Sequence, residues 1–445
     1  MRAMKAMIKR ATIPLLISLL VVFGVAAKRT LRPVAKDSPA PSASCRLVLA
    51  PLAGDKPIDE EIARQQALSA GGSTSALERL GWTFIKKARL SFDAGFYKLA
   101  ERCAACLEAH GANSADALLL RAHALQSMHR FSEAEAAARE LVRLRERPFD
   151  YGVLGDVLID QGKVREGAAA YQKMVDLRPD LQSYARAAHV RWLTGDLAGA
   201  IELMKLATAA SSPNDPEAGA WAFTRLALYQ LQRGTTNSAL ESCDAALSLQ
   251  SEYAPAMLVR GRVLLSVNRA ADAVVELQRA ARLNPLPEYQ WTLADALMSA
   301  GDRDRATELE SQIASRPDNE DPRTLSLYLA TRHADIERAV RLAQQELANR
   351  GDVFTHDALA WSLAAAGRTT EAQSHITQAL SEGTVDSRLY LHAAVIAALN
   401  NDHRQAKQRL DQAAAMQQML LPSERVLLDA WHRKIYESAK GVRQT

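Results

Sequence analysis

The polar groups most suited to chemistry lie between residues 321 and 392. Asp321-Pro322-Arg323, Phe354-Thr355-His356-Asp357 and Asp386-Ser387-Arg388, with His392 beyond, are spaced about one helix pair apart. A histidine beside a carboxylate can move a proton, and arginines around it can hold an anion. Arg323, His356, Asp357 and Arg388 could thus form one small-ligand or catalytic site if stacked helices bring them together. Aspartate and serine at helix starts also serve as caps. Ligand or partner binding, and capping with inter-helix hydrogen bonds, account for these groups better than catalysis, because no substrate pocket is legible around the histidine.

The four cysteines offer a second chemistry. Cys103-Ala-Ala-Cys106 has the spacing of a redox pair, yet it falls inside a helical pattern and not at a helix start after a strand. Buried small hydrophobes are the favoured reading of these thiols. A labile disulfide or a metal site remains open, although no second ligand pair accompanies them. Cys45 follows Ser42-Ala43-Ser44 and lacks the leucine of a lipobox. There is no HExxH, no GxSxG after a strand and no phosphate-cradling glycine loop. The chain is therefore expected to be no enzyme and to carry no cofactor and no catalytic or metal-ligating residues.

The elements that must position these groups repeat. Small residues stand at Ala100, Ala134, Gly167, Ala200, Ala239, Ala273, Ala306, Ala339, Ala372 and Ala406, at intervals of 33 or 34 residues apart from one of 39. Aromatics make up only 5% of the chain, which argues against an all-β fold. A small residue recurring once per unit lets two helices approach closely. Each helix pair leaves an apolar face that only a neighbouring pair can cover. The fold expected is all-α, a right-handed α-solenoid of about ten helix pairs. The unit is plainest at 150–180, where Gly155, Gly162, Gly167, Tyr171 and Pro179 fall in turn. This pattern resembles the tetratricopeptide repeat, whose period is about 34 residues. The resemblance extends over residues 75–420 and is carried further by Ala188/Gly195/Ala200, Ala227/Gly234/Ala239 and Ala360/Gly367/Ala372. No unit matches the full pattern. Residues 327–340 lack the turn glycine, and the 39-residue interval places a longer loop near 209–217.

In the repeat family resembled here, the first helix of each pair lines a concave surface. That frame turns Asp116, His123, Asp156, His189, Trp192, Arg262, Trp291, Asp295, Asp357 and Trp361 inward. Partner-binding candidates are Asp156, His189, Trp192, Arg262, Trp291, Asp295, Arg323, His356, Asp357, Trp361 and Arg388. Aromatic anchors among charges of both signs suit a peptide better than a phosphate backbone. Inter-repeat packing is the favoured reading of each tryptophan. The resemblance thus implies a scaffold that holds a protein or peptide partner in its groove.

The N-terminus reads differently. Arg2, Lys5, Lys9 and Arg10 precede the uncharged stretch 11–27, the pattern of a signal peptide or a transmembrane anchor. Either form predicts a membrane partner and a periplasmic or inner-membrane-anchored protein with its solenoid on the periplasmic side. Segments 183–207, 286–297 and 352–368 resemble exported bacterial tetratricopeptide-repeat proteins, which implies export and nothing more. The formal charge of +4 vanishes once the four basic residues of 1–27 are set aside, so a nucleic-acid partner is not expected. The organisation expected is a leader over 1–27, a flexible linker over 28–56, a short helix and loop over 57–74, repeats over 75–420, and a capping helix and tail over 421–445.

Overall fold

The computed structural model describes residues 43–111 and 114–441, which lie in one compact unit. Two leading helices, α1 (Ala43–Val48) and α2 (Pro57–Ala70), precede ten helix pairs. The first five are α3 (Thr74–Ser91) with α4 (Gly95–Ala109), α5 (Ser114–Ser127) with α6 (Phe131–Leu144), α7 (Pro148–Asp160) with α8 (Val164–Leu177), α9 (Leu181–Leu193) with α10 (Leu197–Ala209), and α11 (Pro216–Arg233) with α12 (Thr236–Leu249). The second five are α13 (Ala254–Ser266) with α14 (Ala270–Leu283), α15 (Pro287–Ser299) with α16 (Arg303–Ala314), α17 (Pro322–Arg332) with α18 (Ile336–Leu347), α19 (Val353–Ala365) with α20 (Thr369–Ala379), and α21 (Ser387–Leu399) with α22 (His403–Ala414). A 3₁₀ turn (Gln417–Met419) leads into a last helix, α23 (Pro422–Gly441). The architecture is an all-α solenoid of adjacent helix pairs.

The ten small residues all fall on the second helix of a pair, and all are buried. Their smallness is a packing requirement: a Cβ on Gly167 would lie 2.7 Å from Ile159, and on the facing first helices one on Gly155 would collide with the Tyr171 ring and one on Gly261 would lie 2.5 Å from Leu277. Helix starts follow a second local rule. Nine aspartates among the described residues accept a hydrogen bond from the backbone N–H three residues on. Asp321, Asp352 and Asp386 are three of them. In the unit without a turn glycine, His333 takes the left-handed conformation, at φ 49°.

The solenoid winds far enough for distant units to touch. Thr384 Oγ1 donates to the Leu193 carbonyl at 2.6 Å, across 191 residues. Arg350 lies 3.5 Å from Asp160, and Glu346 3.9 Å from His129. Gly162, at φ 75°, sits where any Cβ would strike the Gly351 carbonyl oxygen. Glycine is needed there for its backbone angle and again for the approach of the next superhelical turn.

Two stretches behave differently from their sequence reading. Helix α1 lies inside the stretch read as linker, and a Cys45–Cys106 disulfide ties it to α4. The C-terminal stretch does more than cap the last unit. Helix α23 packs on α22, but it also reaches α21 and, across the concave side, α15.

The expectations of a transmembrane helix, a membrane partner and a periplasmic or inner-membrane location are corrected. No helix among the described residues is long and apolar enough to cross a membrane. The longest ones carry charges at close intervals: Glu78, Arg79, Lys86, Lys87 and Arg89 on α3, and Glu424, Arg425, Asp429, Arg433 and Lys434 on α23. Such charges are costly in hydrocarbon. Residues 1–27, on which the expectation rested, lie outside the described residues.

Candidate functional site: an open groove and a closed cavity

The first helices of the pairs line two separate spaces. The first is an open groove of about 790 Å³, formed by α3, α7, α9, α11 and α13 with Tyr97 of α4 and Tyr171 of α8. Its aromatic wall comes from Phe92, Tyr97, Tyr171, Trp221 and Tyr253. Trp221 is 40% exposed and Phe92 39%, high for residues of that size. The charged wall is partly built in. Arg186 donates to both oxygens of Asp156, at 2.8 and 2.6 Å, and Tyr171 Oη donates to Asp156 at 2.7 Å. Arg89 pairs with Glu217 at 3.0 Å. Arg225 lies over the Trp192 and Tyr229 rings, at 5.8 and 5.4 Å from their centroids. His189 lines the groove while stacking on Trp192 at 5.6 Å. Burial, with the Arg225 charge behind it, lowers the His189 pKa to about 4, so its imidazole is neutral near pH 7.

The second space is a cavity of about 230 Å³ lined mostly by second-half residues, with Trp192 of α9 and Leu228 of α11 from the first half. Trp192, Arg262, Trp291, Arg323, Asp357 and Arg388 all face it. Its remaining wall is the chain's own C-terminal stretch, through Met419 and Leu421. That stretch is held by groups on the concave helices. Arg262 Nη2 donates to the Met419 carbonyl at 3.0 Å, and Gln418 Nε2 donates to the Gln232 carbonyl at 2.8 Å. Ser423 donates through its backbone N–H and its hydroxyl to Asp295, at 2.9 and 2.6 Å. Arg388 donates to Glu424 at 2.5 Å. Burial pushes Asp295 up to about 6, against the pull of Ser423 and Arg332.

Of the expected site in units eight to ten, Arg323, Asp357 and Arg388 line this one cavity, and His356 does not join them. Arg323 pairs with Asp352 at 3.1 Å. The Asp357 carboxylate meets His392 Nδ1 at 2.9 Å, under a Trp361 ring stacked 4.2 Å from the imidazole. Trp361 Nε1 donates to Thr331. His356 instead meets His375 of α20, Nδ1 to Nδ1 at 3.1 Å. His356 and Asp357 are neighbours in sequence but serve different interfaces. Asp295 and Trp361 face neither space. Arg89, Trp221 and Arg225 escaped the sequence reading. Arg89 and Trp221 belong to the two helices of 18 residues, longer than the repeat frame expects.

The cysteines do not follow their spacing. Cys106 pairs with Cys45, 61 residues away, while Cys103 is a free buried thiol whose pKa is raised by burial. Cys45, Cys106 and His110 are the one group among the described residues with metal-ligand proximity. Their two sulfurs are bonded to each other, which leaves no thiolate for a metal.

Solved structures with similar helix stacking include a crystal structure of MamA, at 20% identity, covering 35% of this chain and 90% of that one with a TM-score of 0.30. The human IFIT1 dimer with PPP-AAAA aligns at 12% identity over 81% of this chain and 95% of that one, TM-score 0.46. The APC/C hetero-tetramer Cut9-Hcn1 aligns at 14% identity over 84% and 89%, TM-score 0.36. Scores below 0.5 say nothing of what this chain binds. No curated protein matches the sequence. The tetratricopeptide repeat family model matches residues 153–216 and 258–322, stretches that begin inside α7 and α13 and each span two helix pairs. Those four pairs are tetratricopeptide repeats, and the other six stack with them as helix pairs of the same kind.

Proposed function

We propose that the protein is a non-enzymatic interaction scaffold that binds an extended peptide segment of a partner in the open groove of its first half. An α-solenoid of stacked repeats is consistent with a protein-interaction scaffold. The observation that carries the finer reading is the 790 Å³ groove with Trp221 exposed in its wall. Tryptophan, tyrosine and arginine are the side chains that anchor most interface energy, and here they converge on one concave surface. The charges are of both signs, Arg89 and Arg225 against Asp215 and Glu217, which suits a peptide of mixed charge. The same concave helices already hold a chain segment, through the Met419 carbonyl, the Gln418 side chain and Ser423.

Selection of displayed random peptides against the full chain tests this reading. Binders should lose affinity on Trp221→Ala and keep it on Val275→Ala, a residue 59% exposed on α14. No enrichment, or equal loss at both positions, would overturn it.

A further inference from the structure

Six non-glycine residues among the described ones have a left-handed backbone: Phe92, His129, Asn268, Asp321, His333 and Asn401. Asparagine, aspartate and histidine tolerate that region, so five of the six need no special account. Phe92 does. It ends α3 at φ 55°, where glycine is the usual residue. Burial does not offset the strain. Phe92 is 39% exposed, and the core at α3 is built from Leu80, Phe84 and Ile85 without it. Strain of this kind gathers at positions that contact a ligand.

Phe92 borders the open groove, as do Trp221, 40% exposed, and Leu286, 37% exposed. Phe92 follows α3 and Trp221 lies on α11, the two 18-residue helices that depart from the repeat. Arg89 of α3 and Glu217 of α11 pair at 3.0 Å, which ties the two long helices together at the groove. The charges of the lining limit what these apolar groups can take. Three arginines, Arg89, Arg186 and Arg225, stand with three carboxylates, Asp156, Asp215 and Glu217. Arg186 is engaged by Asp156 and Arg89 by Glu217. Asp215 caps α11 at Ala218, and Arg225 lies over the Trp192 and Tyr229 rings. The lining therefore holds no excess of either sign for a charged anchor, whereas Phe92, Trp221 and Leu286 offer exposed apolar surface.

We propose, resting on the peptide reading above, that Phe92 is the specificity-determining residue of the groove: it seats a large apolar side chain of the bound peptide, leucine, methionine or an aromatic, with Trp221 and Leu286 extending the apolar surface. Covering the exposed ring supplies apolar burial that the free chain lacks there.

Peptides selected against the full chain should share a large apolar residue at one position. Its replacement by aspartate, or by lysine, should weaken binding by about tenfold or more. Phe92→Gly should weaken a selected peptide by about tenfold as well. The denaturation midpoint of that variant should hold or rise, because relief of the left-handed strain outweighs the freedom that glycine adds to the unfolded chain. Phe92→Tyr keeps the ring and should bind like the unaltered chain. A ring that serves the fold alone gives the opposite result for Phe92→Gly, lower stability with unchanged affinity, and that result would overturn the assignment. A shared acidic or basic anchor would do the same. Binders that need Trp221 but ignore Phe92 sink this assignment and leave the groove reading standing. The absence of binders, or binders indifferent to Trp221, sinks both.

Discussion

The two halves are built from the same helix pair, yet one leaves its concave face open and the other fills it. In the first half, Trp221 and Arg225 border free space. In the second, residues 417–424 lie across the corresponding helices, and Leu420 and Leu421 are 2% and 4% exposed. The repeat anchors do not cause this difference, since Ala134 in one half and Ala273 in the other are equally buried. What differs is the presence of a segment with a route into the groove. On the function proposed above, the open half is the one that receives a partner.

The largest expected effect comes from weakening the filled half. Leu428→Ala removes a side chain only 2% exposed, where the last helix begins to pack. It should cost about 2–5 kcal/mol in chemical denaturation, and hydrogen exchange should rise along α13 and α15, where the C-terminal stretch rests. Exchange confined to α23 would show that the segment does not support the helices beneath it. Next, Trp221→Ala should cost about 2 kcal/mol or more in affinity for a selected peptide while moving stability by no more than about 0.5 kcal/mol. A stability loss as large as the affinity loss would mean that the open face is structural, and the contrast between the halves would fail.

A smaller pair of variants separates turn geometry from superhelical closure. Gly301→Ala changes a left-handed residue, φ 89°, with nothing within 4 Å of its Cβ, and should cost about 1 kcal/mol. Gly162→Ala has a similar backbone angle but also meets Gly351, so its cost should exceed that of Gly301→Ala by about 1 kcal/mol or more. Equal costs would indicate that the turns can part freely. The smallest effect concerns pH. Asp295 has a folded pKa of about 6 against an ordinary value of 3.8. The folded state then binds more protons than the unfolded one between those values, so this group's contribution to stability falls as pH rises from 4 through 6. Asp295→Asn should remove that slope from the melting temperature measured across this range. A slope unchanged in the variant would place its origin elsewhere.

Much of the fold was legible because its determinants are local. Ala273 recurs in register with Ala306 and Ala339 because each second helix meets its own first helix over a few residues. Asp321, Asp352 and Asp386 mark helix starts by a bond to the backbone three positions on. The site was legible only in part. Arg262 and Trp291 lie on first helices, and the repeat frame turned them inward. Arg89 and Trp221 belong to longer helices outside that frame. His356 and Asp357 show the limit most clearly: a turn of about 100° per residue sends adjacent side chains to different neighbours, so proximity in sequence is no guide to a shared site.

The sequence by itself determined the helix pair, its period and the small residues that let pairs stack, since these obey rules acting within some 34 residues. Only the tertiary structure decided that Gly162 meets Gly351, that Cys106 joins Cys45 rather than its neighbour Cys103, and that Met419 closes a cavity beside Arg262. The last of these contacts spans 157 residues. Small rotations from one pair to the next accumulate into the superhelix. Their sum, which no single repeat encodes, sets which groove is filled and which stays open.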